Sequence, residues 1–295
     1  MPTPHLATLA IRPLTLQDLS GCADLSEDRG WPREEHKWGL LLSAGTGYGI
    51  DAPDGQGLAA SCVVTSYGDS TSSPALTAIG MVLVAERYAR QGLGRRLMTQ
   101  LCAELAPTPL TLHATPNGRP LYEELGFKAT GRAEMLVGHF TPSAPTPADP
   151  ITGTVRPATA ADLQAILRLD RDVFGEDRTH MITRLPSFAD RLLVAEDEDG
   201  TLTGYAAAWP NMNTHVVGPL IAQDTATAQA LVAALADTTD RPLRTDIDIR
   251  HAGLIDWLKA HGLQSVAFNA VMTHGIPALP GDWTRRFAPL TVAAG

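Results

Sequence analysis

Apolar residues recur along this chain with two periods, one typical of strands and one typical of helices. In the first part of the chain, the pattern predicts a hairpin of strands near residues 58–67 and 78–84. A helix over 92–105, a strand over 110–114 and a helix over 116–125 follow. This mixture, with its antiparallel start, favours a mixed α/β (α+β) fold in which helices flank a mixed central sheet.

The same order of elements recurs in the second part of the chain. The segment from Ile11 to Leu19 reappears from Val155 to Leu163, with the shared pattern Arg-Pro-x-Thr-x-x-Asp-Leu. Each copy predicts a short strand that ends at Pro, a Thr N-cap and a helix with Asp in its first turn. Further strands near 191–196, 201–209, 215–221 and 244–249, and helices near 225–236 and 252–261, complete the second copy.

A proline-rich segment separates the two copies. Residues 141–150 contain four prolines and no apolar periodicity, which is typical of an extended linker. The chain has 295 residues, and two domains of about 140–150 residues each are natural at this length. We therefore expect a first domain over residues 1–140, a linker over 141–153 and a second domain over 154–295.

Composition narrows the class of protein. The net charge of −9 argues against a nucleic-acid binder, because phosphate neutralisation requires clustered cations, and it favours a cationic small molecule as partner. No stretch approaches the roughly 18 apolar residues of a membrane span, and no secretory signal is visible. Cys22, Cys62 and Cys102 are odd in number and far apart. We therefore expect no disulfide framework, no metal site and a cytoplasmic location.

A basic glycine turn follows the predicted strand 78–84. Residues 90–95, Arg90-Gln91-Gly92-Leu93-Gly94-Arg95, lead from this strand into the next helix. Glycine allows the backbone to approach a ligand closely, and the free N–H groups and dipole of a helix start attract anions. The turn has neither the third glycine of a dinucleotide fingerprint nor the Gly-Lys-Ser/Thr of a P-loop. It predicts a site for a pyrophosphate.

A second segment carries a phenol at a fixed distance from this turn. Tyr122 lies thirty residues after Gly92, in a short predicted helix that Thr115-Pro116 begins and Gly126 ends. A phenol beside an anion site suggests proton donation to a bound ligand. The alternative is a half-buried tyrosine that only packs in its helix.

These two segments resemble the GNAT superfamily of N-acetyltransferases. The family pattern is a strand, then Arg/Gln-x-x-Gly-x-Gly/Ala, then about thirty residues later Leu-Tyr-x-x-x-Gly-Phe. This chain has Gln91-Gly92-Leu93-Gly94 and Leu121-Tyr122 with Gly126-Phe127 in that order and spacing. The resemblance covers roughly residues 10–140 and implies two tandem GNAT-like domains, because the chain repeats itself.

The resemblance implies roles for residues on the cofactor side. The backbone of Val82, Leu83 and Val84 would pair with the pantetheine arm of acetyl-CoA, and the N–H groups of residues 90–95 would hold its pyrophosphate. Tyr122 would protonate the departing thiolate as general acid. Two positions depart from the family pattern: Ala89 replaces the usual Arg or Gln, and Thr115 replaces a common Asn that contacts CoA.

The acceptor side is less defined. His113 lies on the predicted strand 110–114 and is a candidate general base that would accept a proton directly or through water. The alternatives are a core or strand-surface histidine without a catalytic role, and a water chain that deprotonates the amine without a dedicated base. Glu27, Asp28 and Trp31 fall where the family places its acceptor-lining helices, and they would receive a cationic amine through charge and cation–π contacts. The alternative for these three residues is an exposed charged loop with a packed Trp.

The second copy lacks the chemistry of the first. Residues 226–228, Ala-Thr-Ala, stand in place of Gly92-Leu93-Gly94, and Leu258 stands in place of Tyr122. We expect this degenerate GNAT-like half not to bind CoA, and either to shape the acceptor pocket or to bury a face of the first half.

The sequence therefore predicts an acetyl-CoA-dependent N-acetyltransferase that transfers acetyl directly to a primary amine of a small, cationic acceptor. Use of a longer acyl-CoA, acetylation of protein lysine, and a non-catalytic acyl-CoA sensor or assembly module are the alternatives. The sequence indicates no nucleic-acid or membrane partner and leaves the oligomeric state open.

Overall fold

A computed structural model describes residues 6–68, 75–142 and 153–295, and the described chain forms one continuous mixed sheet with helices on its faces. The linker predicted over 141–153 falls outside the described residues except at its two ends. The thirteen strands are β1 (Ile11–Leu14), β2 (Thr46–Asp51), β3 (Leu58–Tyr67), β4 (Leu76–Val84), β5 (Leu110–Ala114), β6 (Lys128–Gly138), β7 (Thr154–Pro157), β8 (Arg191–Glu196), β9 (Leu202–Pro210), β10 (His215–Ala222), β11 (Leu243–Asp248), β12 (Gln264–His274) and β13 (Arg286–Ala288).

The α-helices connect these strands in the order that the sequence predicts. They are α1 (Leu19–Asp28), α2 (Glu35–Ala44), α3 (Leu93–Leu105), α4 (Arg119–Glu124), α5 (Leu163–Phe174), α6 (Thr179–Ile182), α7 (Leu185–Phe188), α8 (Thr225–Ala236) and α9 (Ala252–Ala260). None of these helices combines the length and the apolar character that crossing a bilayer would require.

The repeated sequence builds the same local structure twice. Thr15 and Asp18 form a capping box, and Thr159 and Asp162 form its counterpart. In each copy an arginine of the first strand donates to the capping aspartate, at 2.8 Å for Arg12 and Asp18 and at 2.8 Å for Arg156 and Asp162. Because the guanidinium donates to it, the pKa of each aspartate lies below its ordinary value. The repeat therefore starts each half with the same capped turn.

The two halves exchange their last long strands. The order across the sheet is β1-β2-β3-β4-β5-β12-β6-β11-β10-β9-β8-β7, with β13 on β10. Strand β12 of the second half pairs antiparallel with β5 of the first, and β6 of the first half pairs with β11 of the second. Each half therefore completes its own sheet with a strand from the other.

A shared core supports this exchange. One apolar cluster contains residues of both halves, including the fully buried Trp38, Tyr67, Phe174 and Tyr205. A second apolar cluster lies under α3 and includes Met272 of the second half. A third lies under α8 and α9 and includes Leu136 of the first half. The second half therefore buries a large apolar face of the first.

The parallel strand pairs of the two halves diverge early. Strands β4 and β5 pair only at Thr77–Leu110 and Ala78–Thr111, and β10 and β11 pair only over two residues as well. A bulge interrupts both β4 and β10 where they leave their parallel partner. In the second half, β13 fills the resulting gap by pairing with β10 at Leu220 and Ile221. In the first half, the equivalent gap opens into a cavity.

We expect neither half to fold alone, because each sheet lacks its exchanged strand and would leave backbone groups unpaired at β5 or β11. Residues 1–142 and 153–295, expressed separately, should lack cooperative thermal unfolding by circular dichroism, whereas co-expression should restore it. The control is the intact chain with a protease site inserted between residues 143 and 152, cleaved after folding. Cooperative unfolding of either isolated half would contradict the prediction.

Candidate active site

The gap between β4 and β5 holds a cavity of about 350 Å³. Residues 79–84 of β4 form one wall, and His113, at the end of β5, forms part of the other. The turn before α4 and Tyr122 close the cavity from one side, and Arg29 and Trp31 close it from another. The structure thus brings Val82, Leu83, Val84, Arg90, Thr115, Tyr122, His113 and Trp31 of the sequence-predicted set to one cavity.

The β4 edge on this side is not paired after Ala78 by any strand of the described chain. Met81 has a left-handed backbone, with φ of 52°, which is uncommon for a residue with a side chain. The bulge at this point turns the edge of residues 82–84 toward the cavity instead of toward β5. Backbone donors and acceptors along such an edge suit an extended amide-containing chain.

The turn into α3 provides free backbone N–H groups. Arg90 and Gly92 both have positive φ, 58° and 86°, and no atom lies within 4 Å of where a Gly92 Cβ would stand. The N-cap of α3 is Gly92, which has no side chain to accept a capping hydrogen bond. The first N–H groups of the helix, which have no intrahelical partner, are therefore uncapped. Leu93 is buried in the core, which leaves only its backbone for a ligand. The turn fits an anion.

The arginines near this turn differ in their availability. Arg90 is exposed and lines the cavity. Arg95 pairs with Glu124 at the surface, and Gln91 donates to the Arg87 carbonyl at 3.2 Å. Arg96 donates to the carbonyls of residues near the N-terminus and braces α3. Arg29 also lines the cavity but pairs with Glu86, so the unpaired positive charge there comes chiefly from Arg90.

Tyr122 lies at the bottom of the cavity on α4. Its ring is 7% exposed and packs edge-on against Phe127, with ring centroids 6.0 Å apart. Burial raises the pKa of the Tyr122 hydroxyl, and the nearby Cys62 raises it further. The phenol therefore stays protonated at neutral pH, as a proton donor must be.

Thr115 shapes the turn that leads to Tyr122, but it is not the helix N-cap that the sequence predicts. Gly118 is the N-cap of α4, which begins at Arg119 instead of near Pro116. Thr115 Oγ1 accepts a hydrogen bond from the Gly118 N–H at 3.3 Å. Asn117, in the same turn, lines the cavity; sequence reasoning missed it because it lies two positions from the family's usual Asn.

His113 lies where the cavities of the site meet. Its ring donates to the Val292 carbonyl, and Nδ1 has no hydrogen-bond partner. Burial, and to a lesser extent the nearby positive charge of Arg286, lower the pKa of His113 to about 4. The ring is therefore neutral above about pH 5, and its contact to Val292 ties the first half to the C-terminal segment of the second.

Of the three residues predicted at the acceptor site, only Trp31 lies at the cavity. Trp31 lines the cavity and is 37% exposed, so it is not a packed Trp. Glu27 accepts from Arg33 at 3.2 Å, and Asp28 accepts from the Glu86 backbone N–H at 2.6 Å. Neither carboxylate lines the cavity beside Tyr122 or the larger one adjoining it. Their side chains are committed to the loops around α1, which corrects their placement in the acceptor pocket.

A larger cavity of about 780 Å³ adjoins the first. Both cavities are lined by Trp31, Gly80, Met81, His113 and Thr115. The rest of its wall comes from both halves, because β6, β11 and β12 meet there beside the 211–214 loop and the C-terminal segment. Sequence reasoning missed these residues, since no local motif indicates that strands so distant in sequence become neighbours.

The equivalent edge of the second half is occupied. Leu220 and Ile221 stand where Leu83 and Val84 stand in the first half, counted from the bulge, and β13 pairs with them. The backbone edge that is open on β4 is thus covered on β10 by the chain itself. No group of three or more His, Cys, Asp or Glu side chains suited to a metal is present among the residues described.

Comparison with known proteins identifies the class. Two protein-family models, each described as an acetyltransferase (GNAT) domain, match this chain, one over residues 64–139 and the other over residues 166–288. The uncharacterized N-acetyltransferase YitH of Bacillus subtilis (strain 168) is 30% identical over 245 residues, which are 82% of this chain and 83% of YitH. The chain therefore belongs to the GNAT superfamily, with two GNAT domains in tandem, and is an acetyl-CoA-dependent acyltransferase.

Solved structures share this fold over nearly the whole chain. A chain from Pyrococcus horikoshii, provisionally assigned as an acetyltransferase, has a TM-score of 0.80 at 18% identity and covers 100% of this chain and 99% of its own. A tandem GNAT protein from the clavulanic acid biosynthesis pathway has a TM-score of 0.65 at 14% identity and covers 92% of this chain and 99% of its own. At these sequence identities, the similarity shows a shared fold only.

The lowered pKa of His113 predicts a pH dependence of stability. The unfolded state takes up a proton near pH 6.5 and the folded state only near pH 4. The unfolded state therefore binds more protons in this window, and stability should fall as the pH drops through it. In urea denaturation at pH 7 and pH 4.5, His113→Gln should lose less stability on acidification than the wild type.

Exposed His139 provides the matched control, because His139→Gln should keep the wild-type loss. The pKa values of His180 and His251 are also lowered by burial, but these residues remain in every variant and cancel in the comparison. Equal losses in the wild type and His113→Gln would contradict the assignment.

Proposed function

We propose that this protein acetylates a primary amine directly from acetyl-CoA, with one active site in the cavity between β4 and β5. The observation that carries this proposal is the contrast between the two gaps. The β4 edge is open beside a basic helix start and a buried phenol, whereas β13 occupies the equivalent edge of β10. Acetyl-CoA, when bound, supplies the thioester that is attacked.

The residues that would hold acetyl-CoA fit its chemical parts. The unpaired edge of Val82, Leu83 and Val84 suits the amides of a pantetheine arm. The free N–H groups from Gly92 to Arg95, with Arg90 beside them, suit a pyrophosphate. The turn formed by Thr115 and Asn117 contributes to the same wall.

We propose Tyr122 as the proton donor to the departing thiolate. Its raised pKa keeps the proton on the phenol, but it also makes the phenol a weaker acid than a free tyrosine. The donation then depends on placement, because an ordinary thiol has a pKa near 8.5. Low accessibility to water favours this, since the thiolate too is poorly solvated in such a cavity.

His113 is proposed to accept a hydrogen bond from the attacking amine through its free Nδ1. A group with a pKa near 4 is too weak a base to deprotonate an ammonium ion, whose pKa lies near 10. The amine should therefore enter uncharged, and His113 should orient its lone pair and take its proton after attack. Because Glu27 and Asp28 point elsewhere, the proposed acceptor is a primary amine with no requirement for further positive charge.

Replacing the phenol tests the role of Tyr122. Tyr122→Phe should lower kcat by about 100-fold or more, with the affinity for acetyl-CoA changed by less than about threefold, because only the proton donor is removed. Thiol release in the presence of an amine panel measures the rate, and calorimetry measures binding. Tyr48→Phe, the same change on β2 outside the cavity, is the control. An unchanged kcat in Tyr122→Phe would assign the donation elsewhere.

One acetyl-CoA should bind per chain. Gly94→Glu places a carboxylate at the anion-binding turn, where a Cβ would stand 3.4 Å from Val84 Cγ2, and calorimetry should then detect no binding. Gly253→Glu, at the start of α9 in the second half where a Cβ meets only Thr225 at 3.9 Å, should bind one equivalent. If the wild type bound two equivalents of acetyl-CoA, a single site would be contradicted; if it bound no acetyl-CoA, the proposed function would be refuted.

Binding without turnover on any amine or lysine peptide would favour a non-catalytic sensor.

A further inference from the structure

One polar side chain in the larger cavity differs from its neighbours, and it supports an inference about the acceptor that rests on the proposed function. Four buried polar side chains line this cavity, namely Glu34, Lys37, Asn211 and Asn269. Glu34 accepts hydrogen bonds from both Lys37 and Asn211, so three of the four are satisfied by one another. The carboxamide of Asn269 makes no hydrogen bond to any of the described residues.

This carboxamide is open to the cavity. Asn269 is 6% exposed, yet its polar atoms are not among the unpartnered ones that are sealed inside the described chain. They are therefore reached from the cavity that Asn269 lines. A buried amide without a protein partner is uncommon, and a ligand in the cavity would supply the missing hydrogen bond.

The register of β12 places Asn269 beside His113. Val271 of β12 lies opposite His113 of β5. Side chains two residues apart on a strand point to the same face of the sheet, so Asn269 is on the face of His113 and diagonally across from it. Such diagonal neighbours are about 7–8 Å apart. Two hydrogen bonds of about 2.9 Å that meet at one nitrogen span most of that distance.

The two side chains also lie where the two cavities meet. His113 and Thr115 line both cavities, whereas Asn269 lines the larger one and not the smaller. Asn269 is therefore on the acceptor's side of the junction. With acetyl-CoA proposed in the smaller cavity, the nucleophile of the acceptor must come to this junction, within reach of the Asn269 carboxamide.

The chemistry of an uncharged amine matches these two groups. A primary amine has two N–H donors and one lone pair, and the lone pair must stay free to attack the thioester. Its surroundings must therefore offer hydrogen-bond acceptors. His113 Nδ1 is one unpartnered acceptor, and Asn269 Oδ1 is a second. Glu34 does not compete for the amine, because both of its oxygens accept hydrogen bonds from the protein.

The rest of the cavity suits an uncharged, apolar body. On this face of the sheet the charged cluster is balanced, with Lys37 and Arg244 against Glu34 and Asp246. Of the five large hydrophobic side chains exposed in the described chain, three line this cavity, namely Trp31, Met212 and Val266. Exposed apolar side chains gathered around one opening mark a binding surface more often than scattered ones do.

We propose that Asn269 Oδ1, together with His113 Nδ1, binds the amine of the acceptor, and that this acceptor is an uncharged primary amine on an apolar body. A primary amine satisfies both acceptors, whereas a secondary amine has a single N–H and leaves one of them unpaired. Because β12 belongs to the second half, that half takes part in positioning the nucleophile.

The wild-type protein tests this with a matched pair of acceptors. Phenylalaninamide and N-methylphenylalaninamide share the same apolar group and differ by one N–H. An α-amino group has a pKa near 8, so a large fraction of the primary amine is uncharged at about pH 8.5. In thiol release with saturating acetyl-CoA, the primary amine should have a kcat/KM about tenfold or more above that of the secondary amine, because the latter leaves a buried acceptor unpaired.

Asn269→Leu separates hydrogen bonding from steric fit, because it removes the carboxamide without opening space. It should lower kcat/KM for the primary amine about tenfold or more and bring it close to that of the secondary amine. Asn269→Asp keeps an acceptor oxygen and should retain more activity than Asn269→Leu. Gln264→Leu, which removes a carboxamide at an exposed position of β12 outside both cavities, is the control and should behave as wild type.

Two further measurements distinguish binding of the amine from a structural role. Asn269→Leu should change the affinity for acetyl-CoA by less than about twofold in calorimetry, because Asn269 does not line the smaller cavity. It should also unfold at or above the wild-type temperature, since no hydrogen bond within the protein is lost. If the leucine overpacks and lowers that temperature, Asn269→Ala, which adds no bulk, carries the same test of the preference.

Failure of this inference is separable from failure of the proposed function. Equal use of the two amines by the wild type, or a wild-type preference in a stable variant without the carboxamide, overturns the inference while acetyl transfer stands. Absence of turnover with phenylalaninamide, when other amines are acetylated, overturns it as well. Absence of acetyl-CoA binding by calorimetry, or of thiol release with every amine, refutes the function and the inference with it.

Discussion

The early divergence of parallel strands is the constraint on which the rest of this structure depends. When β4 leaves β5 after Ala78, the backbone groups along residues 79–84 lose a strand partner, and buried backbone groups must be paired. The two halves meet this requirement differently. In the second half the chain supplies its own partner, β13, whereas in the first half the edge stays open beside a cavity. One geometry thus produces a closed sheet in one copy and an open edge, the site proposed for acetyl-CoA, in the other.

The strand exchange makes the two halves dependent on each other at the site itself. Because β12 pairs with β5, the wall next to His113 belongs to the second half. The C-terminal segment then crosses the same gap: Val292 accepts a hydrogen bond from His113, Ala293 packs on Gly80 and Ala294 accepts from Tyr67. A backbone oxygen of Ala293 would stand 2.2 Å from a Cβ at position 80, so only glycine admits this contact. The positioning of the acceptor side is therefore a property of the whole chain.

The sequence was sufficient for the parts of the fold that depend on local rules. The repeated Arg-Pro-x-Thr-x-x-Asp-Leu motif, the glycine turn before α3 and the helix that carries Tyr122 are each specified by residues close together in the chain, and the structure contains them with small shifts of their ends. Strands β2, β6, β12 and β13 were not predicted. Strand β6 contains Gly131 and several charged residues, and its neighbours β11 and β12 come from more than a hundred residues later, so no local pattern identifies it.

The acceptor side could not be predicted for the same reason. Glu34 and Lys37 look like part of an exposed charged loop in the sequence, but they are buried beside Arg244, whose distance in sequence hides the contact. A buried ion pair costs desolvation energy, which further hydrogen bonds must offset. Here Glu34 is the only carboxylate that lines the larger cavity, among the described residues, and both of its oxygens accept hydrogen bonds from the protein. In the second half β13 covers the equivalent edge of β10, and strands β11 and β12 of that half line the larger cavity together with residues of the first half.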